Sequence, residues 1–261
     1  MMSGTTKQDT EPSRTCRGTG LVIAAHGERG GALDNAGLEA LCRAVAGLLG
    51  GIYVRPALLF GEPEVSEVVA RLTARRVLVY PLFLSDGYYV RKILPQRVAQ
   101  AVERFDADAP EIEILAPLGT DPGLARLVDD AVARSADDSG PRNLLLAAHG
   151  SSKSAQSRQT IERLARDLDS SARYGSVSAA YLEEPPFVSD MLAKADDHTV
   201  LVNLFVSAGM HGGEDMPRMQ RERKTPLPQT PPLTEDPSLP ALIAEAVRVR
   251  RKPASGPADG G

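Results

Sequence analysis

One phrase occurs twice in this chain and limits its possible folds more than any other feature. Leu144–Leu145–Leu146–Ala147–Ala148–His149–Gly150–Ser151–Ser152 reads as a buried apolar strand, a histidine, and a small-residue turn entering a helix. Leu21–Val22–Ile23–Ala24–Ala25–His26–Gly27 is an earlier copy, with the two histidines 123 residues apart in a chain of 261. The likeness continues downstream. Leu82–Phe83–Leu84–Ser85–Asp86–Gly87 matches Leu204–Phe205–Val206–Ser207–Ala208–Gly209 at an offset of 122, as Glu62–Pro63 matches Glu184–Pro185 and Pro95 matches Pro217. The chain is one unit written twice, with a histidine at the tip of each first strand.

In the first unit, residues 19–136, apolar runs at 20–25, 52–59, 77–84 and 112–115 read as strands alternating with helical patterns. Pro95 falls in the first turn of the third helix, and Asp121–Pro122 opens the fourth. The second unit, residues 142–250, repeats the order with strands at 143–148, 176–182 and 199–206. Its helices fall at about 154–169 and 186–195, and Asp236–Pro237 caps a last one reaching Arg250. Strands alternating with helices predict an α/β protein of two similar lobes, each a four-stranded parallel sheet with flanking helices in flavodoxin-like topology. The passage 225–233 is proline-rich and makes a poor fourth strand. Residues 1–18 and 251–261 are expected to be flexible tails, and 137–141 a linker.

Composition narrows the function. A formal net charge of −4 draws the chain to neither nucleic acid nor an anionic membrane, so an anionic ligand must be met by locally placed Arg and Lys. Neither a signal-like segment nor a spanning apolar run is present, and a cytoplasmic protein is expected. Cys16 and Cys42 fit neither a disulfide framework nor paired metal ligands. There is no Walker loop, so neither ATP nor an organic cofactor is implied. The lack of Trp and the scarcity of Tyr argue against a flavin stacked between aromatic rings.

Ligands of open parallel sheets bind beyond the carboxyl ends of the strands. In the second unit that edge collects His149, the neighbours Glu183 and Glu184, and His211 in the glycine loop after the third strand. Two imidazoles and a carboxylate can hold a borderline divalent ion and exchange protons near neutral pH. Taken singly, each is an ordinary strand-end or loop residue, as His198 is expected to be. The first unit offers His26, Glu62 and Tyr89 at the matching places, with Tyr88–Tyr89 where Met210–His211 stands in the second. That edge reads as a degenerate site.

The segments Ala147–Ala148–His149–Gly150–Ser151, Tyr181–Leu182–Glu183 before Pro185, and Leu204 through His211 to Asp215–Met216–Pro217 resemble the class II tetrapyrrole chelatases. These include the sirohydrochlorin cobaltochelatases and ferrochelatases. The resemblance covers residues 20 to 248 and implies a two-lobed fold. The implied activity is ATP-independent insertion of Co²⁺ or Fe²⁺ into sirohydrochlorin or a relative, in cobalamin or siroheme biosynthesis. By the same resemblance His149 and His211 match the metal-site histidines. Glu183 matches the site glutamate when aligned from Tyr181–Leu182, and Glu184 when aligned from Pro185. The implied partners are the metal and an anionic tetrapyrrole, contacted by Ser151, Lys153, Arg158, Ser207, Gly209 and Arg218; a homo-oligomer is left open. A non-catalytic tetrapyrrole- or metal-binding protein and a two-His/one-Glu zinc hydrolase are the rival readings.

Overall fold

The computed structural model describes residues 18–27, 36–105, 109–136, 142–151, 155–206 and 216–251. The doubled apolar phrase forms the middle strand of each of two sheets. In the first, β1 (Thr19–Gly27) lies between β2 (Tyr53–Phe60) and β3 (Arg76–Pro81), with β4 (Glu111–Ile114) outside β3. In the second, β5 (Asn143–Ala148) lies between β6 (Ser176–Tyr181) and β7 (Thr199–Asn203). All pairings are parallel.

A middle strand is covered on both faces, which is why its sequence is apolar without alternation. Val22 and Ala24 pack on one side with α2 (Val65–Arg71) and α3 (Leu94–Val102). Leu145 and Ala147 pack with α6 (Val188–Lys194) and with Met216 of α7 (Met216–Arg221). The opposite faces of both sheets meet in one shared apolar cluster. It also takes in α1 (Ala36–Leu49), α4 (Leu124–Ser135), α5 (Ala155–Asp169) and α8 (Leu239–Arg251). The order is therefore helices, sheet, shared helices, sheet, helices.

The closing helix of each unit crosses to the other. α8 packs on α1 of the first lobe, and α4 packs on α5 and β7 of the second. Arg134 of α4 grips Asp236 with two bonds of 2.7 Å, and Asp236, only 2% exposed, also accepts the Ser238 amide at 2.8 Å. The residue read as a helix cap is thus also an interlobe ion pair.

Three expectations change. The second sheet has three strands among the described residues, its fourth reduced to a single bridge between Leu201 and Gln229. Pro226, Pro228, Pro231 and Pro232 have no amide hydrogen to give a ladder, so beside β7 the segment donates one amide, that of Thr230 to the Leu201 carbonyl at 3.0 Å, while the Pro228 carbonyl accepts the Leu201 amide at 2.9 Å and the Thr230 hydroxyl the Asn203 amide at 2.8 Å. The third strand stops at Pro81, short of the expected 84. Finally, the offset between the units depends on the strand. Ala25 faces Leu58 as Ala148 faces Tyr181, an offset of 123, and the bridges Leu58–Glu64 and Tyr181–Phe187 keep it. Gly20 faces Val77 as Asn143 faces Thr199, which returns the third strand to 122. Glu62 therefore corresponds to Pro185, not Glu184, and the residue standing at the place of Glu183 is Phe60. The linker 137–141 and most of both tails lie outside the described residues.

Candidate metal centre

The chain turns sharply after each middle strand. Gly150 has φ 73° and Gly27 φ 74°, a left-handed conformation that only glycine adopts at low cost. A Cβ on Gly150 would stand 2.8 Å from Cβ of Tyr181, and one on Gly27 would clash with the Phe60 carbonyl oxygen. The turn presents the preceding histidine at the strand tip. In the second lobe the Leu182 and Glu183 amides both donate to the His149 carbonyl, at 3.2 and 3.1 Å, holding the end of β6 against the end of β5.

That arrangement sets Nε2 of His149 3.9 Å from Oε1 of Glu183, with the side chains 43% and 50% exposed. Nδ1 lies 3.3 Å from the Gly150 carbonyl, which can only accept; with the ring proton on Nδ1, Nε2 is the nitrogen that would ligate an ion. An ion about 2.1 Å from each ligand would separate them by about 3.4 Å at a tetrahedral angle. The pair is a few tenths of an ångström open of that value, within reach of a small side-chain rotation. It is also exposed enough for an ion to enter and leave.

Glu184 is employed differently. Its Oε1 accepts the Ser151 amide at 3.0 Å, and its Oε2 accepts Nε and Nη2 of Arg158 at 3.0 and 2.8 Å; the side chain is only 15% exposed. Burial pushes its carboxyl pKa up, but the Ser151 amide and the Arg158 guanidinium outweigh it and hold the value below the ordinary carboxylate range. Arg158 also donates to the Pro185 carbonyl and lies 5.0 Å from the centre of the Tyr181 ring. Burial raises the Tyr181 phenol to about 12, so it stays protonated at neutral pH. Glu184 and Arg158 together brace the turn that carries His149.

The other predicted residues divide by place. Ser151 contributes its amide to that brace, and Arg218 lies exposed on α7 beside Arg221. Arg223 is bound to the carbonyls of Leu192, Ala195 and Thr225 and holds the end of α6. Lys153, Ser207, Gly209 and His211 lie outside the described residues. Among the described residues no three His, Cys, Asp or Glu side chains gather as a metal site.

At the first-lobe edge, His26 donates from Nδ1 to the Gly27 carbonyl at 2.7 Å, as its counterpart does to Gly150. Its surroundings are aromatic instead of acidic. The ring centroids of Tyr89, Phe60 and Phe83 lie 4.6, 5.2 and 6.4 Å away. Glu62 is exposed. Neither Phe60 nor Phe83 belongs to a motif of the sequence that marks a site. Their signal was the crowding of aromatics near strand ends in a chain with only 5 Phe and 6 Tyr.

Comparison with known proteins gives the same division into two. The CbiX family model matches the chain twice, over residues 20–135 and 143–250. A probable sirohydrochlorin cobaltochelatase of Halobacterium salinarum is 28% identical over 190 residues, covering 63% of this chain and 63% of that protein. The chain thus matches less than two thirds of that relative's length. The structure of CbiX, the terminal enzyme for biosynthesis of siroheme in denitrifying bacteria, is similar with a TM-score of 0.73 and 29% identity, over 88% of this chain and 98% of that one. SirB from Bacillus subtilis with Fe³⁺ shares the fold, with a TM-score of 0.72 and 17% identity over 88% of this chain and 94% of that one. Each family match opens at a strand that ends in His-Gly, and together they take in nearly all of both lobes: the chain belongs to the CbiX family.

Proposed function

We propose that this chain is a sirohydrochlorin chelatase, which exchanges the two pyrrole protons of sirohydrochlorin, or a close relative, for Co²⁺ or Fe²⁺. One metal ion enters the macrocycle and two protons leave, so no redox partner, ATP or organic cofactor is needed. The observation that carries the reading is the half-exposed His149–Glu183 pair, 3.9 Å apart at the carboxyl edge of the second sheet. Imidazole suits cobalt and iron, and a carboxylate beside it can take a pyrrole proton as the ion transfers. The metal is a substrate, and an open site with few ligands favours its release. His211, which follows β7 in the sequence, is the further ligand in this reading.

In this reading Glu183 is the site carboxylate, and Glu184 with Arg158 positions the turn. The second lobe, 142–250, carries the chemistry, while the first, 19–136, walls the cleft in which the macrocycle lies. Arg218 and Arg221 attract the substrate carboxylates, and Lys153, Ser207 and Gly209 are further substrate contacts. The test is absorbance-monitored insertion into sirohydrochlorin under anaerobic conditions, comparing Co²⁺, Fe²⁺ and Ni²⁺. Metal-dependent conversion of the free spectrum is expected. Spectral binding without conversion would make the chain a tetrapyrrole carrier, and tight stoichiometric zinc with hydrolytic activity would make it a hydrolase.

A further inference from the structure

We infer that the carboxyl edge of the first sheet is an aromatic seat for one face of the tetrapyrrole, its rings standing where the second lobe has metal-binding side chains. The inference rests on the chelatase reading and assigns residues to it. Four of the chain's eleven Phe and Tyr residues, with no Trp anywhere, gather around His26 at this one edge. They are set edge to face: Tyr89 stands at 89° to His26 and at 84° to Phe60, 5.9 Å from the latter, and Tyr88 stands at 72° to Tyr89, 5.6 Å away. That geometry is favourable among the rings themselves. Tyr88 is 56% and Tyr89 39% exposed, whereas the core tyrosines Tyr80 and Tyr181 are closed to solvent.

The rings border a hollow of ≈ 340 Å³, whose other lining includes Ile93, Gln96 and Arg97 and no carboxylate. That is toward the small end of the roughly 300–1,000 Å³ of small-ligand sites and accommodates one edge of a macrocycle. One ammonium and one paired guanidinium stand near it. Lys92 holds its ammonium 5.7 Å from the centre of the Tyr88 ring, and Arg97, held by Glu64 at 3.0 Å, lines the wall. A planar conjugated ring bearing carboxylates complements both the exposed tyrosines and the Lys92 ammonium. The place is also apt: a side chain on Gly87 would meet Oε1 of Gln156 on α5 at 3.1 Å, so the loop leading to Tyr88 abuts the helix that follows His149. By the offset of 123 at the second strand and 122 at the third, Phe60 corresponds in sequence to Glu183 and Tyr89 to His211. The same edge handles metal in one lobe and the flat face of the ligand in the other.

The test is metal-free sirohydrochlorin binding, followed by absorbance titration of the full chain, alongside insertion assays. Tyr88→Ala should weaken the Kd about three- to tenfold and the double Tyr88→Ala/Tyr89→Ala more, while Tyr88→Phe stays within about twofold of wild type. Lys92→Ala should weaken binding at low salt and lose its effect at high salt. Tyr53→Ala, which removes a 63% exposed tyrosine from the start of β2, should change nothing. Tyr88 is exposed enough for its single variant to fold even if the double variant does not. Unchanged sirohydrochlorin affinity in Tyr88→Ala, in a protein that still inserts metal, overturns this inference alone. So does a variant whose only change is the loss of a sedimenting dimer, which would make the rings a self-association surface. A wild-type chain that neither binds nor metallates sirohydrochlorin overturns the chelatase reading itself.

Discussion

The two strand tips of this molecule share a backbone and differ in what surrounds one imidazole. At both, a middle strand ends in His-Gly, the glycine takes φ near 73°, and the histidine Nδ1 meets the next carbonyl. Around His149 stands a carboxylate at 3.9 Å, backed by the Glu184–Arg158 brace. Around His26 stand three aromatic rings within 6.4 Å. A polar, half-open setting lets an imidazole receive a cation, whereas a ring of aromatic neighbours offers it packing and no second ligand. The difference shows that a repeated fold preserves where a side chain is presented, while one or two neighbouring residues decide what it can do there.

The sharpest way to break that comparison is to delete each histidine in turn. His149→Ala and His211→Ala should each lower metal insertion by at least about a hundredfold, because ligands of one ion act as a unit. His26→Ala should stay within about threefold of wild type in kcat. Loss of activity in His26→Ala with near-normal activity in His149→Ala would move the working site to the first lobe.

The adjacent carboxylates come next. Glu183→Gln should lower kcat about tenfold or more, and Glu184→Gln by less, since it disturbs the turn and not the ion. The reverse order in paired kinetics would make Glu184 the ligand. The two should also differ in thermal stability against pH. The Glu184 carboxyl has its folded pKa lowered, so its ionised form stabilises the fold above the ordinary carboxylate range, and that contribution is lost as pH falls through the lowered value. The stability gap between wild type and Glu184→Gln should therefore close on strong acidification, as melting curves across pH would reveal.

Two smaller effects sharpen the contrast. Phe60→Glu combined with Tyr89→His should give the first lobe a metal-binding set, read as a second equivalent of Co²⁺ in equilibrium dialysis. An unchanged stoichiometry would mean that the backbone alone does not carry the site from one lobe to the other. Arg218→Ala with Arg221→Ala should raise the KM for tetrapyrrole about two- to fivefold at low salt and leave that for metal alone. No change at low salt would reduce that pair to a solvated helix face.

Much of the fold was legible because its signals are local. Strands buried on both faces write continuous apolar runs such as 21–25 and 144–148, and Asp-Pro pairs mark helix starts at 121 and 236. The histidine tips were legible for the same reason. Arg158 was read as a substrate contact, but it is bound to Glu184, a partner 26 residues away on the end of another element. The fourth strand of the second sheet was correctly doubtful, since four prolines in 225–232 cannot supply a ladder.

By itself, the sequence determined that the chain is one α/β unit written twice, with a histidine and a glycine at each productive strand tip. Apolar periodicity and turn chemistry act over a few residues and are written where they act. Only the tertiary structure decided which of two adjacent carboxylates faces His149, that Phe60 and not Glu62 takes that place beside His26, and that the closing helices exchange lobes over one shared core. Glu183 and Glu184 lie in the bend just past β6, where a one-residue shift exchanges a ligand for a brace, and the start of that bend is set by the pairing of strands distant in sequence.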